Sequence, residues 1–386
     1  MRRRYRVLHL ITRLELGGAQ QNTLYCARHH DRECFDVELI AGSGARLDDE
    51  ALAIPDLTVQ LVPWLKHSIS PLHDLLAVLR LRNYFRRAGI DLVHTHSSKA
   101  GILGRLAANL AGVPAVVHTV HGWSFNTTQT PLRRNLFISL ERWVAPMTDS
   151  LVVVAAKHIQ TGLNEEIGRE SQYGVLRSGI DPAIYRNPTR PRGELRGELG
   201  FNASDFVVGT IANMKPQKAS LDFVETAAKA YAKNPTLRFL FAGDGEQMPQ
   251  VRARVAQEGL EDVTRLLGWR EDVPDLLNAM DAFLLTSRFE GLPRVVLQAM
   301  AAGRPVVATA VDGTPEVVED DVTGLLAAAG DTEGLAEHLD RLSRDPELSK
   351  RLAREATQRL GQEFDIRKMV TDLDRLYLSL LQRGRG

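Results

Sequence analysis

Nowhere among the 386 residues is there an uninterrupted apolar run of roughly 18, so the sequence offers no bilayer-spanning helix. The apolar stretch Val7 to Ile11 is broken by Arg13 and Glu15, too soon for a secretory leader. Cysteine is nearly missing. Cys26 and Cys34 are too few for a disulfide framework and lack a metal-ligand constellation, which points to a reducing compartment. Net charge is lacking as well: 48 Lys and Arg stand against 48 Asp and Glu, so wholesale binding to nucleic acid has no support. The Gly-Xaa-Gly-Xaa-Xaa-Gly fingerprint is not present, which ranks a dinucleotide-dependent dehydrogenase last. No Asp-Xaa-Asp follows a strand. Asp372-Leu373-Asp374 matches on paper, but it sits inside a helical pattern and reads as a solvated helix face. The sequence therefore requires no metal and no other cofactor.

What is present is length and alternation. A chain of 386 residues is a soft prior for two domains, each able to bury its own core. Residues 1–190 carry 23 Lys and Arg against 17 Asp and Glu, and the remainder 25 against 31, so a basic half precedes an acidic one. Short apolar strands alternate with amphipathic helices throughout, which argues for parallel α/β architecture. Strands are expected at residues 6–11, 37–41, 92–94, 116–119 and 151–154, and in a second series at 207–211, 238–242, 263–266, 282–285 and 305–308. Between the series, Ser178 to Gly200 holds Pro182, Pro188 and Pro191 with few periodic apolar positions, and reads as an interdomain connection. Met369, Val370, Leu373, Leu376, Tyr377, Leu380 and Leu381 have helical spacing near the end.

In the second series, the strand around Val208–Ile211 runs into Ala212-Asn213-Met214-Lys215-Pro216-Gln217-Lys218. A pyrophosphate leaving group needs its growing charge neutralised by a metal or by cations and amide donors, and this loop offers two lysines. By itself it reads equally as a solvated polar loop. Phe289-Glu290-Gly291-Leu292-Pro293, followed by Ala299 to Thr309, reads as a strand-end loop, a helix and a Gly-Xaa-Pro turn into a buried strand. An acid beside loop amides suits a ligand carrying both hydroxyls and phosphate. Gly243-Asp244-Gly245 follows a strand, where glycine permits close backbone approach, though as a tripeptide it is usually just a turn.

In the first series, Gly17-Gly18-Ala19 follows a strand, with a helix expected to start at Ala19 or Gln20. Two histidine clusters also follow strands, His94-Thr95-His96 and His118-Thr119-Val120-His121-Gly122. A histidine at a strand end is more often a hydrogen-bonded core group than a ligand, and no further ligand type accompanies these. The segments Pro131 to Val144 and Leu79 to Arg87 are amphipathic and basic. Each reads first as a domain helix with its apolar side in the core, and second as a dock for anionic lipid.

Taken in order along the chain, these segments resemble the family 4 retaining glycosyltransferases of GT-B fold, over essentially the whole sequence. The resemblance implies two Rossmann-like domains facing across a cleft. Residues 1–180 would form the acceptor side, residues 181–365 the nucleotide-sugar side, and the terminal helix at 366–386 would cross back onto the first domain. It implies that Lys218 holds the diphosphate, that Glu290 contacts the transferred sugar with Gly291 and Leu292 beside it, and that His121 lines the sugar pocket, His118 ranking second. Gly17 and Gly18 would close against the diphosphate, Gly243 would border it, and Arg270 in Gly268-Trp269-Arg270 would lie at the base. Asp312-Gly313-Thr314-Pro315-Glu316 resembles a supporting turn. Two positions depart from the pattern: Asn213 stands where the family has an arginine, so that either Lys215 compensates or the site is weaker, and Gln298 stands where it has a second, ribose-binding acid. The activity implied is retaining transfer from a UDP- or GDP-sugar to a hydroxyl on a glycan or lipid-linked acceptor, in the cytoplasm or at the inner face of the cell membrane. A nucleotide-sugar epimerase of the same architecture, or a non-catalytic nucleotide-sugar binder favoured by Asn213 and Gln298, remain alternatives.

Overall fold

The computed structural model describes residues 3–126 and 128–383. The chain folds as two compact units, one running to Gly179 and resuming at Ile366, the other spanning Ile180–Asp365. The first contains β1 (Tyr5–Arg13), α1 (Gly18–His29), β2 (Phe35–Gly42), α2 (Asp48–Leu52), β3 (Thr58–Val62), α3 (Pro71–Ala88), β4 (Leu92–His96), α4 (Ser98–Ala111), β5 (Ala115–Val120), α5 (Pro131–Val144), β6 (Ser150–Val153), α6 (Lys157–Asn164) and β7 (Tyr173–Val175). The second contains α7 (Pro182–Arg186), α8 (Arg192–Glu198), β8 (Phe206–Ile211), α9 (Ser220–Lys233), β9 (Leu237–Ala242), α10 (Met248–Gln257), β10 (Thr264–Gly268), α11 (Val273–Ala279), β11 (Ala282–Leu285), α12 (Arg294–Ala301), β12 (Val306–Thr309), α13 (Thr314–Val317), β13 (Leu325–Ala327), α14 (Thr332–Arg344) and α15 (Pro346–Arg359), after which α16 (Ile366–Arg383) returns to the first unit.

Every strand pairing between these elements is parallel, in the orders β3-β2-β1-β4-β5-β6-β7 and β10-β9-β8-β11-β12-β13. Both sheets start in the middle and grow first one way, then the other. Each therefore has a switch point, between β1 and β4 or between β8 and β11, where the flanking loops diverge beyond the strand ends and leave a crevice. The strands at these points are buried on both faces, so they read as near-continuous apolar runs, Ala282 to Leu285 unbroken and Val7 to Ile11 interrupted only by His9.

Helix α16 closes the first core. Ile366, Met369, Val370, Leu373, Tyr377 and Leu381 are all buried against Val7, Phe35, Val37, Leu92 and Val117 of the sheet. Each such side chain contributes about 1.5–3 kcal/mol of burial, so the helix is part of the core. In the second unit Val208, Phe223, Phe239, Phe241 and Leu284 meet Leu335, Leu339 and Leu352 of α14 and α15.

Two expectations are corrected. The stretch Ser178 to Gly200 is largely folded structure of the second unit: it forms α7 and α8, Asp275 accepts the Thr189 and Arg190 N–H groups at 2.6 and 3.0 Å, and Arg196 is buried beside Asp281. Its prolines mark helix starts at Pro182 and, just before α8, Pro191. Asp374 is not on a solvated face. On a helix, residues two apart point to opposite sides; Asp372 turns outward to Lys368 and Arg375, while Asp374 turns in to His30.

Candidate active site

In the second unit the elements deliver Lys218 and Glu290 to the switch point between β8 and β11. After β8 the chain makes a short turn, Pro216–Lys218, and Ala219 takes φ +48° before α9 begins. Lys218 is set on the β8 side and Glu290 on the β11 side, and Lys218 Nζ donates to Glu290 Oε1 at 2.5 Å. Glu290 is buried and also accepts from Ser287 Oγ at 2.5 Å. The two loops are stitched together: Arg288 N–H donates to Gln217 O at 2.8 Å, Gln217 Nε2 to Phe289 O at 3.0 Å, and Thr286 Oγ1 to Lys218 O at 3.0 Å. From the far side Asp312 accepts the Glu290 N–H at 2.8 Å. A buried carboxylate is tolerable only when paired and hydrogen-bonded, and Glu290 is both. Its partner ammonium has three N–H bonds and gives this carboxylate one, which leaves donor capacity for an anion.

The remaining expected positions lie in the same unit. Asn213 and exposed Lys215 follow β8, and Met214 N–H between them donates to Asp244 O at 2.9 Å. Gly243 has φ +141°, and a Cβ there would meet Ala212 O at 1.9 Å, so this glycine is demanded by the fold's own backbone. Arg270 forms a two-pronged pair with Asp272, Nε to Oδ1 at 2.7 Å, which strengthens both charges and commits the guanidinium locally. Gly291 and Leu292 are buried just before α12. Gln298 lies on α12, near Tyr185 of α7; burial pushes that phenol up, and the Arg294 charge chiefly pulls it partly back. Tyr185 was hidden from sequence reasoning because its helix sits in a segment that reads as a connection.

In the first unit, Gly17 precedes α1 in extended conformation and Gly18 opens the helix, one residue earlier than expected. A Cβ at Gly17 would meet only the end of the Gln20 side chain, at 2.8 Å, so the fold itself scarcely needs glycine there. The histidines divide by strand alternation. His94 and His96 point to the α16 side of the sheet, while Thr95 and His118 point to the α4 side, where His118 Nδ1 lies 2.9 Å from Thr95 Oγ1. His118 is thus a core group, separated by the sheet from His94 and His96.

On the α16 side a chain of imidazoles forms. His121 Nε2 lies 3.1 Å from His96 Nδ1, His96 Nε2 lies 3.0 Å from His9 Nδ1, and His9 Nε2 lies 2.9 Å from His30 Nε2. His30 Nδ1 ends the chain on the carboxylate of Asp374. His9 sits directly opposite His94 in the β1–β4 register, but His94 spends its own nitrogens on Tyr377 and on Thr119, the latter at 2.7 Å. His9, His94 and His96 bring nitrogens within 4.8 Å of one another, and a metal there would have to displace these hydrogen bonds. Burial holds His9, His94, His96 and His118 well below the usual imidazole range. His9 and His30 carried no signal in the sequence, since neither stands in a motif.

Two parallel sheets of Rossmann type, each with polar groups gathered beyond the strand ends, define a two-domain α/β protein of the GT-B kind. A family model described as glycosyl transferases group 1 matches residues 205–345, and one described as glycosyl transferase 4-like domain matches residues 17–161. The UDP-Gal:alpha-D-GlcNAc-diphosphoundecaprenol alpha-1,3-galactosyltransferase of Escherichia coli is 31% identical over 370 residues, covering 95% of each chain. N-acetyl-alpha-D-glucosaminyl L-malate synthase of Bacillus anthracis is 28% identical over 319 residues, 82% of each. Among solved structures, Anabaena HepE in complex with UDP and glucose matches with a TM-score of 0.84 at 22% identity, covering 97% of this chain and 100% of that one. The chain belongs to the group 1, family 4 glycosyltransferases of GT-B fold, and it is a glycosyltransferase.

Proposed function

We propose that the protein moves a hexose from a UDP-sugar, with retention at the anomeric carbon, to a hydroxyl of a sugar carried on a polyprenyl diphosphate. The observation that carries the donor half is the Lys218–Glu290 pair at the β8–β11 switch point. The ammonium meets the charge that grows on the departing diphosphate, while the carboxylate accepts from hydroxyls of the transferred sugar. Asn213, Lys215 and the amides at Gly291 and Leu292 add donors around the phosphates, and Gly243, a glycine the fold itself requires, borders them. Gln298, beside Tyr185, receives the ribose hydroxyls, and Arg270, braced by Asp272, borders the base. In the first unit, Gly17 is a glycine the fold does not itself demand, and with Gly18 it offers open backbone to an anion. His121 contacts the sugar. The acceptor oxygen bonds to the anomeric carbon on the leaving-group face as the bond to phosphate breaks, and a phosphate oxygen of the leaving group takes the acceptor's proton. No cofactor beyond the donor substrate enters this scheme.

The acceptor half is supported by the diphosphoundecaprenol-linked acceptor of the Escherichia coli relative and by exposed leucines on two basic helices. No helix among the described residues is long and apolar enough to cross a membrane, so a lipid-borne acceptor is met at its surface. The test is transfer onto a polyprenyl-diphosphate-linked GlcNAc from UDP-, GDP- and ADP-hexoses, with the product's anomeric configuration read by NMR. Transfer from the UDP donor with its configuration kept is expected. Lys218→Ala should lower kcat/KM by about 100- to 1,000-fold, the cost of removing one donor from a developing anion. An inverted product, a free epimer released without acceptor, or donor binding with neither transfer nor hydrolysis would overturn the reading.

A further inference from the structure

The chain of imidazoles links a residue at the end of β5 to a residue on the last helix, through the inside of the first unit. We propose that Asp374 is a positioning residue: through His30, His9 and His96 it sets which nitrogen of His121 carries the proton. The inference rests on the reading of His121 as a sugar contact.

A neutral imidazole has one N–H donor and one acceptor nitrogen, so in a chain of such rings each bond dictates the next. The Asp374 carboxylate only accepts. One of its oxygens takes the Asp31 N–H at 3.1 Å and the other faces His30 Nδ1, which must therefore carry the hydrogen. His30 Nε2 is then an acceptor, and His9 Nε2 donates to it. His9 Nδ1 in turn accepts from His96 Nε2, and His96 Nδ1 accepts from His121 Nε2. The proton of His121 thus resides on Nε2 and its acceptor lone pair on Nδ1, the character needed by a ring that receives a hydrogen bond from a sugar hydroxyl. His9, His30 and His96 are each no more than 3% exposed, so water does not compete for these bonds. The interior disfavours a charged ring at His9 or His96.

The variant that reads this device is Asp374→Asn, which keeps the shape. Its amide oxygen must stay with the Asp31 N–H, so its NH2 faces His30 Nδ1 and donates to it, and the direction of every bond in the chain reverses. The measurement is the imidazole 15N shift pattern of His121 at pH 8.5 in the full-length protein, together with transfer kinetics. Wild type should show the Nε2–H form. Asp374→Asn should show the Nδ1–H form, with kcat lowered about tenfold, the loss of one hydrogen bond in the transition state, and donor KM little changed. Asp374→Glu, which restores an accepting carboxylate, should recover the Nε2–H form. A wild-type His121 protonated on Nδ1, or a tautomer unmoved in Asp374→Asn, overturns the proposal; the wild-type result does so even if the variant fails to fold. A tautomer that reverses with kcat unchanged upholds the relay and instead removes His121 from sugar contact.

Discussion

At the scale of single residues, the second unit spends structure on holding Glu290 still. Asp312 stands at φ +41°, a costly conformation for a non-glycine residue, and its carboxylate takes the Glu290 N–H. Asp312→Ala leaves that N–H without its acceptor and should destabilise the protein by about 1–3 kcal/mol while raising donor KM. Asp312→Asn keeps an accepting oxygen and should cost less. Urea unfolding of the three proteins checks the order; an alanine variant as stable as wild type would remove Asp312 from this role. Lys218 and Glu290 were legible because each falls within a short motif, although 72 positions separate them. Asp374 and His30 lie 344 positions apart with no motif at either end, and their pairing emerges only once α16 is laid on the sheet. Gly243 shows the reverse error of emphasis: read as room for a ligand, it is first a requirement of the Ala212 carbonyl.

At the scale of elements, the interior strands were visible and three edge strands were not. β3, β7 and β13 each sit at the end of a sheet. An edge strand is half solvated, so it carries less of the apolar run that marks a buried parallel strand; β3 and β7 have no fully buried residue. The same accounting applies to helices. α3 buries Ala77, Val78, Leu81 and Phe85 yet leaves Leu72, Leu75 and Leu76 more than half exposed, and α5 buries Ile138 and Val144 while Leu132 is 84% exposed. The amphipathic pattern therefore describes two apolar surfaces, one packed and one outward, alongside Arg80, Arg82, Arg133 and Arg134. Basic residues near an anionic surface contribute roughly 1 kcal/mol each, and inserted leucines add to that. Leu72→Ser with Leu76→Ser should leave the melting temperature unchanged, because neither side chain is in the core, and should cut flotation with phosphatidylglycerol vesicles severalfold. Wild-type protein that stays at the bottom of the gradient at low salt would end the case for a membrane-facing surface.

At the scale of the molecule, acid should separate the two units. Ten of the eleven histidines lie outside residues 180–365, where His338 stands alone. Burial depresses His9, His94, His96 and His118 in the folded first unit, whereas the unfolded chain titrates them near the ordinary imidazole value of about 6.5. Below that pH the unfolded state binds more protons, so stability is present above it and falls as pH drops. One pH unit below, four such groups together remove as much as about 5 kcal/mol, a drop of roughly 10–20 °C in the melting of a unit this size. In the second unit several carboxylates are held low, among them Glu225, kept below 4.5 chiefly by its hydrogen bond from Lys229, and Asp272, kept below 3.8 by Arg270. Their contribution is lost only as pH falls through those lower values. Calorimetry at pH 7.5 and 5.5 should therefore show one transition moving far down in temperature while another stays nearly in place. The moving one should carry the near-ultraviolet signal of Trp64, Trp123 and Trp143, which all belong to the first unit. Transitions that shift together, or not at all, would mean that the buried imidazoles do not govern its acid stability.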